Sequence, residues 1–150
     1  MSRQTFTPGQ TDVPHFPTYY LRQDNGSSNW YQTDTHIENV GIMGGREVTL
    51  SYWMKGSSAF TNQPYYQQNF GSGGSTSVGA AIASASITTS WARYTHTITL
   101  PSITGKTVGA GNYTKFNALR ANIASIVVDI ANVQLEFGDT ATDFEQRSYG

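Results

Sequence analysis

The sequence predicts an all-β domain, an antiparallel β-sandwich of the jelly-roll kind, on three observations. Apolar residues come in short bursts between clusters of Gly, Ser, Thr, Asn and Pro. The clearest bursts alternate with a period of two, the pattern of a half-buried strand. About eight or nine such bursts fit into one chain of this length, which suits two packed sheets.

Taken in order, weak strand signals lie at Gln4 to Thr7, Tyr19 to Gln23 and Trp30 to Gln32. The first strong one is Glu47 to Lys55, EVTLSYWMK, with Val48, Leu50, Tyr52 and Met54 opposing Thr49, Ser51, Trp53 and Lys55. Gly41 and the Gly44-Gly45 pair lead into it, and Gly56-Ser57-Ser58 ends it. Tyr65 to Phe70 and Val78 to Ile87 follow as weaker strands, separated by the low-complexity glycine segment Gly71 to Ser77. Ala92 to Leu100 is again clear: Tyr94, His96, Ile98 and Leu100 share one face, and Pro101, which has no N–H to donate, stops the ladder. Phe116 to Ala121 is weaker. Ile123 to Phe137 is long enough for a helix, but its density of Ile and Val favours strand. Its second half puts Val127, Asp129, Ala131, Val133 and Leu135 on one face, so Asp129 is expected to be hydrogen-bonded or near an edge.

The 150 residues suit a single domain, with residues 1–18 as an N-terminal arm and 139–150 as a C-terminal tail. Nine basic and ten acidic side chains leave a net charge of −1, too little field to draw in nucleic acid or anionic lipid. No apolar run is long enough for a membrane span, and no secretory signal opens the chain. The absence of cysteine removes disulfides, thiol nucleophiles and cysteine metal sites. Aromatic content of 13% with only 13% charged residues argues against disorder.

Catalytic motifs are weak. Gly105-Lys106-Thr107 has Leu100 where a phosphate loop needs its first glycine, and it reads as a strand-to-strand turn. His15, His36 and His96 have no metal spacing. His96, in the inward register, reads as a partly buried, hydrogen-bonded histidine. No nucleophile elbow is present, and Glu38 with Asp129 is the kind of carboxylate pair that only a fold can bring together. Asp129 and Glu136 are possible oxygen ligands for calcium, but no acidic loop of fixed spacing supports a metal and no cofactor is assigned. Aromatic side chains are the one class abundant enough for recognition. Trp30, Tyr31, Trp53, Tyr65 and Tyr66 are the candidate ligand-binding residues, flat faces for sugar rings with Asn and Gln nearby. Trp53 is the best exposed candidate, because Thr49, Ser51 and Lys55 share its face.

Five segments in this order carry a resemblance: SRQTFTPGQTDVP (Ser2 to Pro14), HIENV (His36 to Val40) before EVTLSYWMK, QQNFGSGGS (Gln67 to Ser75), TTSWARYTHTITLPSITGKTVG (Thr88 to Gly109) and DIANVQLEFGDTATDFEQRSYG (Asp129 to Gly150). Together they resemble a jelly-roll domain of bacteriophage and prophage tail-fibre and other virion surface proteins, similar to carbohydrate-binding modules. The resemblance implies a non-enzymatic, virion-surface protein, often in trimeric fibres, whose partners are other virion proteins, further copies of itself and a host surface glycan. It brings no catalytic residues. Members usually carry a further Trp-containing strand upstream of the point matching Met1, a Cys-containing segment beyond Gly150, and an apolar residue at position 96, where this chain has His96. A missing first strand implies an exposed edge that another chain or the N-terminal arm fills. The leading expectation is host receptor or glycan recognition by a tail-fibre-type domain. The alternatives are a capsid decoration (cement) protein and a binding module of a glycan-active enzyme.

Overall fold

A computed structural model describes residues 1–146. Thirteen strands and one short 3-10 turn, Val40–Ile42, make up its regular structure: β1 Ser2–Thr5, β2 Tyr19–Asp24, β3 Trp30–Gln32, β4 Thr35–Ile37, β5 Glu47–Gly56, β6 Phe60–Asn62, β7 Tyr65–Asn69, β8 Val78–Ala81, β9 Ala85–Ile87, β10 Ala92–Thr99, β11 Tyr113–Asn117, β12 Arg120–Asn122 and β13 Val127–Phe137. The expected all-β antiparallel sandwich is what the chain forms. One layer is a five-stranded sheet in the order β1-β2-β13-β5-β10. The N-terminal arm thus supplies the strand beside β2 from within the chain.

The other layer is a four-stranded sheet, β4-β11-β7-β8, continued by the pairs β12-β3 and β6-β9. Backbone hydrogen bonds join these pieces: Thr33 N–H to Leu119 O, Gln63 N–H to Arg120 O, and Ile82 N–H to Pro64 O. All four strands therefore break at one level, and the layer is a single sheet bent across its middle. This break corrects two expected elements. Val78 to Ile87 is two strands, β8 and β9, and Phe116 to Ala121 spans the end of β11 and β12.

The two layers close on a shared core. Leu50, Tyr52, Met54, Val128 and Ile130 from the five-stranded sheet pack with Tyr31, Phe60, Ile87, Leu119 and Ala121 from the bent one. A second cluster, Met43, Val48, Leu100 and Phe116, fills the other end. Strand alternation explains these choices for β5 and β10, where the inward residues are those the sequence predicts.

β13 departs from its expected face. Its register against β5 shifts between Ala131 and Gln134, and Asn132 has φ 49°. This β-bulge reverses the alternation. Before the bulge Val128 and Ile130 face the core and Val127, Asp129 and Ala131 face away; beyond it Leu135 turns inward. Asp129 is nevertheless buried, because Arg22 Nε and Nη2 reach its two carboxylate oxygens at 2.8 and 2.9 Å and Lys55 Nζ lies at 3.9 Å. It is engaged as an ion pair, so neither a calcium-ligand role nor a carboxylate pair with Glu38 fits it.

His96 is inward and hydrogen-bonded, as its register predicts. Tyr52 Oη lies 3.0 Å from His96 Nε2 and accepts a 3.0 Å hydrogen bond from Asn62 Nδ2. Burial holds His96 below its ordinary value and pushes the Tyr52 phenol up. Unfolded histidine titrates near about 6.5. Below that, the unfolded chain binds the proton that folded His96 refuses, so stability falls as pH drops from about 6.5 through the folded pKa. For Tyr52 the sign is opposite: its contribution is complete below about pH 10 and is lost at higher pH. Melting curves at pH 5 and 7 are expected to show the acid loss, and His96→Leu to remove most of it. Equal acid loss in the variant would assign it to carboxylates elsewhere.

Candidate functional site: the outer face of the bent sheet

The five candidate aromatics separate when the chain folds. Tyr31 is 0% exposed and donates its hydroxyl proton to Ile126 O. It is core, because on β3 it alternates with Trp30 and Gln32, and so it offers no face to a ligand. Tyr66 faces inward between the two core clusters. Trp53 does lie on the outer face of the five-stranded sheet, but the part of that face beside it is covered. The C-terminal segment crosses it: Thr49 Oγ1 donates to Gly138 O at 2.7 Å, and Arg93, paired with Trp53 across the strands, donates to Thr142 O. Thr49 and Ser51 are therefore buried and Trp53 is only half-exposed. Glu136 fastens the same segment, accepting from Thr142 N–H at 3.1 Å. Burial works against its ionisation, but the hydrogen bonds from Thr142 and Gln134 and the charge of Arg93 prevail and hold its carboxyl below the usual range.

Trp30 and Tyr65 remain, and the fold brings them together. Arg120 on β12 lies between them, its guanidinium carbon 5.3 Å from the Trp30 ring centroid and 4.7 Å from that of Tyr65, both cation–π distances. Trp30 is 43% exposed, and its indole N–H donates to Gln32 Oε1 at 3.3 Å. Tyr65 lies against β8, where a Cβ on Gly79 would stand 2.5 Å from the Tyr65 hydroxyl oxygen. It would also stand 2.7 Å from Tyr66 O, so only glycine fits beneath the ring and against the β7 backbone. The Arg120 side-chain donors have no hydrogen-bond partner among the described residues, so they face outward unspent.

The band continues along the sheet. Gln68, Thr114 and Phe116 are buried, which turns their neighbours Gln67, Asn69, Tyr113 and Lys115 to the outer face. His36 on β4 stacks on Tyr113 with ring centroids 4.2 Å apart and planes 14° from parallel, and Asn69 Nδ2 reaches the Tyr113 hydroxyl at 3.3 Å. Sequence reading missed Arg120, Tyr113, Lys115 and His36 as site residues. The signal existed in two alternations, Tyr65-x-Gln67-x-Asn69 and Tyr113-x-Lys115, which become one surface only once β7 and β11 pair. Chemically the band combines apolar ring faces with amide, ammonium and guanidinium donors. Among the described residues no group of three or more His, Asp or Glu side chains is placed to hold a metal.

No family model matches this sequence, and no curated protein sequence matches it. Solved structures do resemble its fold. The xylan-binding domain CBM22-2 from Paenibacillus barcinonensis Xyn10C superposes with a TM-score of 0.59 at 13% identity, over 85% of this chain and 84% of that one. The N-terminal cellulose-binding domain of a Cellulomonas fimi β-1,4-glucanase gives a TM-score of 0.51 at 18% identity, over 82% of this chain and 80% of that one. The enzymatically active domain of bacteriophage CBA120 tailspike protein 4 gives 0.50 at 15% identity, over 91% of this chain but 19% of that one. At these identities the likeness shows the fold, a jelly-roll sandwich of the carbohydrate-binding-module kind. Membership of a virion family is not shown by it.

Proposed function

We propose that this chain is a non-catalytic carbohydrate-binding module whose outer bent sheet takes a glycan chain across Trp30, Arg120 and Tyr65. The observation that carries this reading is the fixed aromatic–guanidinium–aromatic band on an open sheet face. Ring faces suit the apolar sides of pyranose rings, and the unspent donors of Arg120, Lys115 and Gln67 suit their hydroxyls. Because Gly79 and Arg120 hold Tyr65 in place before any ligand arrives, little conformational freedom is lost on binding. Sandwiches of this fold whose names record xylan or cellulose binding support the same reading.

A phage particle is a second setting for such a module, supported by the tailspike neighbour, which spans most of this chain. Placed at the surface of a virion in several copies, trimeric as the sequence resemblance implies, weak single sites would add through multivalency. A decoration role would instead use the same sandwich to bridge shell subunits.

The test is binding to soluble xylan, mixed-linkage β-glucan and bacterial surface polysaccharides by affinity electrophoresis and calorimetry. Tyr65→Ala is expected to weaken the best ligand by about tenfold or more, as loss of a central aromatic anchor does. Because the Tyr65 ring is half-buried, the melting temperature of Tyr65→Ala is measured alongside and binding is compared where both chains remain folded. Failure of every polysaccharide to bind, or equal binding by Tyr65→Ala and the parent chain, would overturn this assignment.

A further inference from the structure

The opposite layer of the sandwich carries a feature that the glycan band does not use. On the outer side of the five-stranded sheet, Asp12, Lys55, Thr89, Ser90 and Trp91 line a pocket of about 240 Å³. Its walls are fixed. Trp91 packs against Phe6 at 5.5 Å and against Tyr20 at 5.6 Å, the latter edge-on at 82°. Lys55 Nζ lies 5.3 Å from the Trp91 ring centroid and is tethered on its other side by Asp129 Oδ2 at 3.9 Å. Asp12 is carried on a clasped loop: Gln10 Nε2 donates to Val13 O and Val13 N–H donates to Gln10 Oε1, both at 2.9 Å, with Val13 fully buried beneath. Ser90 is set by the Thr88 hydroxyl, which donates to Ser90 O at 3.1 Å.

We propose that this pocket is a second binding site, for a single neutral sugar ring. Three properties select that class. Trp91 offers an apolar wall beside the Lys55 ammonium that sits over its ring, and that ammonium, the Asp12 carboxylate and the Thr89 and Ser90 hydroxyls offer both donors and acceptors, as a polyhydroxylated ring requires. Asp12 and Lys55 cancel in charge, and Arg22 already neutralises Asp129, so the pocket has no net field to favour an anion or a cation. Its volume lies below the roughly 300–1,000 Å³ of sites for larger ligands, which limits it to one ring or a chain end. The pocket and the Trp30–Tyr65 band open on opposite sides of the sandwich. One chain is then bivalent, able to hold the end of one glycan while lying along another, with the gain in avidity that two linked weak sites provide.

The test is an NMR titration of the isotope-labelled chain with methyl pyranosides of glucose, galactose, mannose, xylose, rhamnose and N-acetylglucosamine. At least one is expected to give saturable shifts at the Trp91 indole N–H and the Asp12, Thr89 and Ser90 amides. Asp12→Ala, on an exposed loop, should weaken that binding by about tenfold or more. Thr89→Val, which removes one hydroxyl at nearly constant shape, should weaken it several-fold. The Trp30 indole N–H reports the other face independently, so failure of either site is read without reference to the other. Shifts confined to Trp30, or shifts at Trp91 of equal size and affinity in parent and Asp12→Ala, would overturn the second site.

Discussion

Replacing Arg22 with Met is expected to lower the unfolding free energy by about 2 kcal/mol, the cost of leaving a buried acceptor unpaired, since Asp129 is buried while the Arg22 side chain is 38% exposed. Asp129 is 3% exposed and takes two hydrogen bonds from the guanidinium at 2.8 and 2.9 Å. The hydrogen bond to Asp129 is also the largest influence on Arg22, holding its proton more tightly than in the free side chain although burial opposes this. Without Arg22, a carboxylate in the middle strand of the five-stranded sheet is left with Lys55 alone at 3.9 Å. Lys55 is what keeps the loss from being larger. The double variant Arg22→Met with Asp129→Leu is expected to recover most of the stability, because the orphaned charge rather than the lost attraction is what destabilises. Urea titration of the two variants checks both statements. A single variant within about 0.5 kcal/mol of the parent would mean that water reaches Asp129 once the arginine is gone.

The contrast between β5 and β13 shows what the sequence could and could not reveal. In β5 the alternation runs unbroken over its ten residues, so every inward side chain was legible, including Tyr52. In β13 a single Asn at positive φ inverts the faces halfway along, and alternation read through it assigns Asp129 to the wrong side. Asparagine is among the residues that tolerate this conformation, but an isolated one in a strand gives no warning that it will. The short strands β4 and β6 were missed for a different reason. Three residues do not establish a period, and both exist because neighbouring strands supply their partners. The glycine run after β7 reads in the sequence only as a low-complexity segment between strands, yet Ser72 N–H donates to Ala110 O at 2.9 Å and Gly109 N–H to Phe70 O at 2.7 Å. Its glycines serve close packing: a Cβ on Gly71 would stand 2.3 Å from Ala110 O.

Site residues were legible by type but not by direction. Tyr31 and Trp30 are adjacent, and so are Tyr65 and Tyr66, so in each pair strand alternation had to bury one and expose the other. The sequence of β3 or β7 alone does not say which. Cross-layer packing decides: Tyr31 and Tyr66 reach the core that β5 and β13 form, and their neighbours are turned to the outer face. Trp53 was misjudged because the residues around it are polar. Polar side chains on a sheet face can also be the seat of a hydrogen-bonded terminal segment, and Thr49 with Gly138 is that case.

Asn62→Ala is expected to cost about 4 kcal/mol and to weaken glycan binding as well, because one side chain joins the core to the site. Asn62 is 0% exposed and sits where the bent sheet breaks. Its Nδ2 donates to Tyr52 Oη at 3.0 Å and to Ala118 O at 2.8 Å, and its Oδ1 accepts from Arg120 N–H at 2.9 Å. Tyr52 keeps His96 as a partner after truncation, but the Ala118 carbonyl and the Arg120 N–H lose theirs inside the protein, at about 1–3 kcal/mol for each buried group left unpaired. The Arg120 bond matters for function because it fixes the residue whose guanidinium lies between Trp30 and Tyr65. Once it is released, Arg120 no longer holds the two rings in register, and affinity should fall by about tenfold, or ~1.4 kcal/mol. Ile82→Val is the control: it trims a buried core residue at about 0.5–1.5 kcal/mol without touching the network. If binding fell equally in both variants at a temperature where each remains folded, loosening of the sandwich in general would explain the loss. Loss in Asn62→Ala alone would place the coupling in the hydrogen bond that links Asn62 to Arg120.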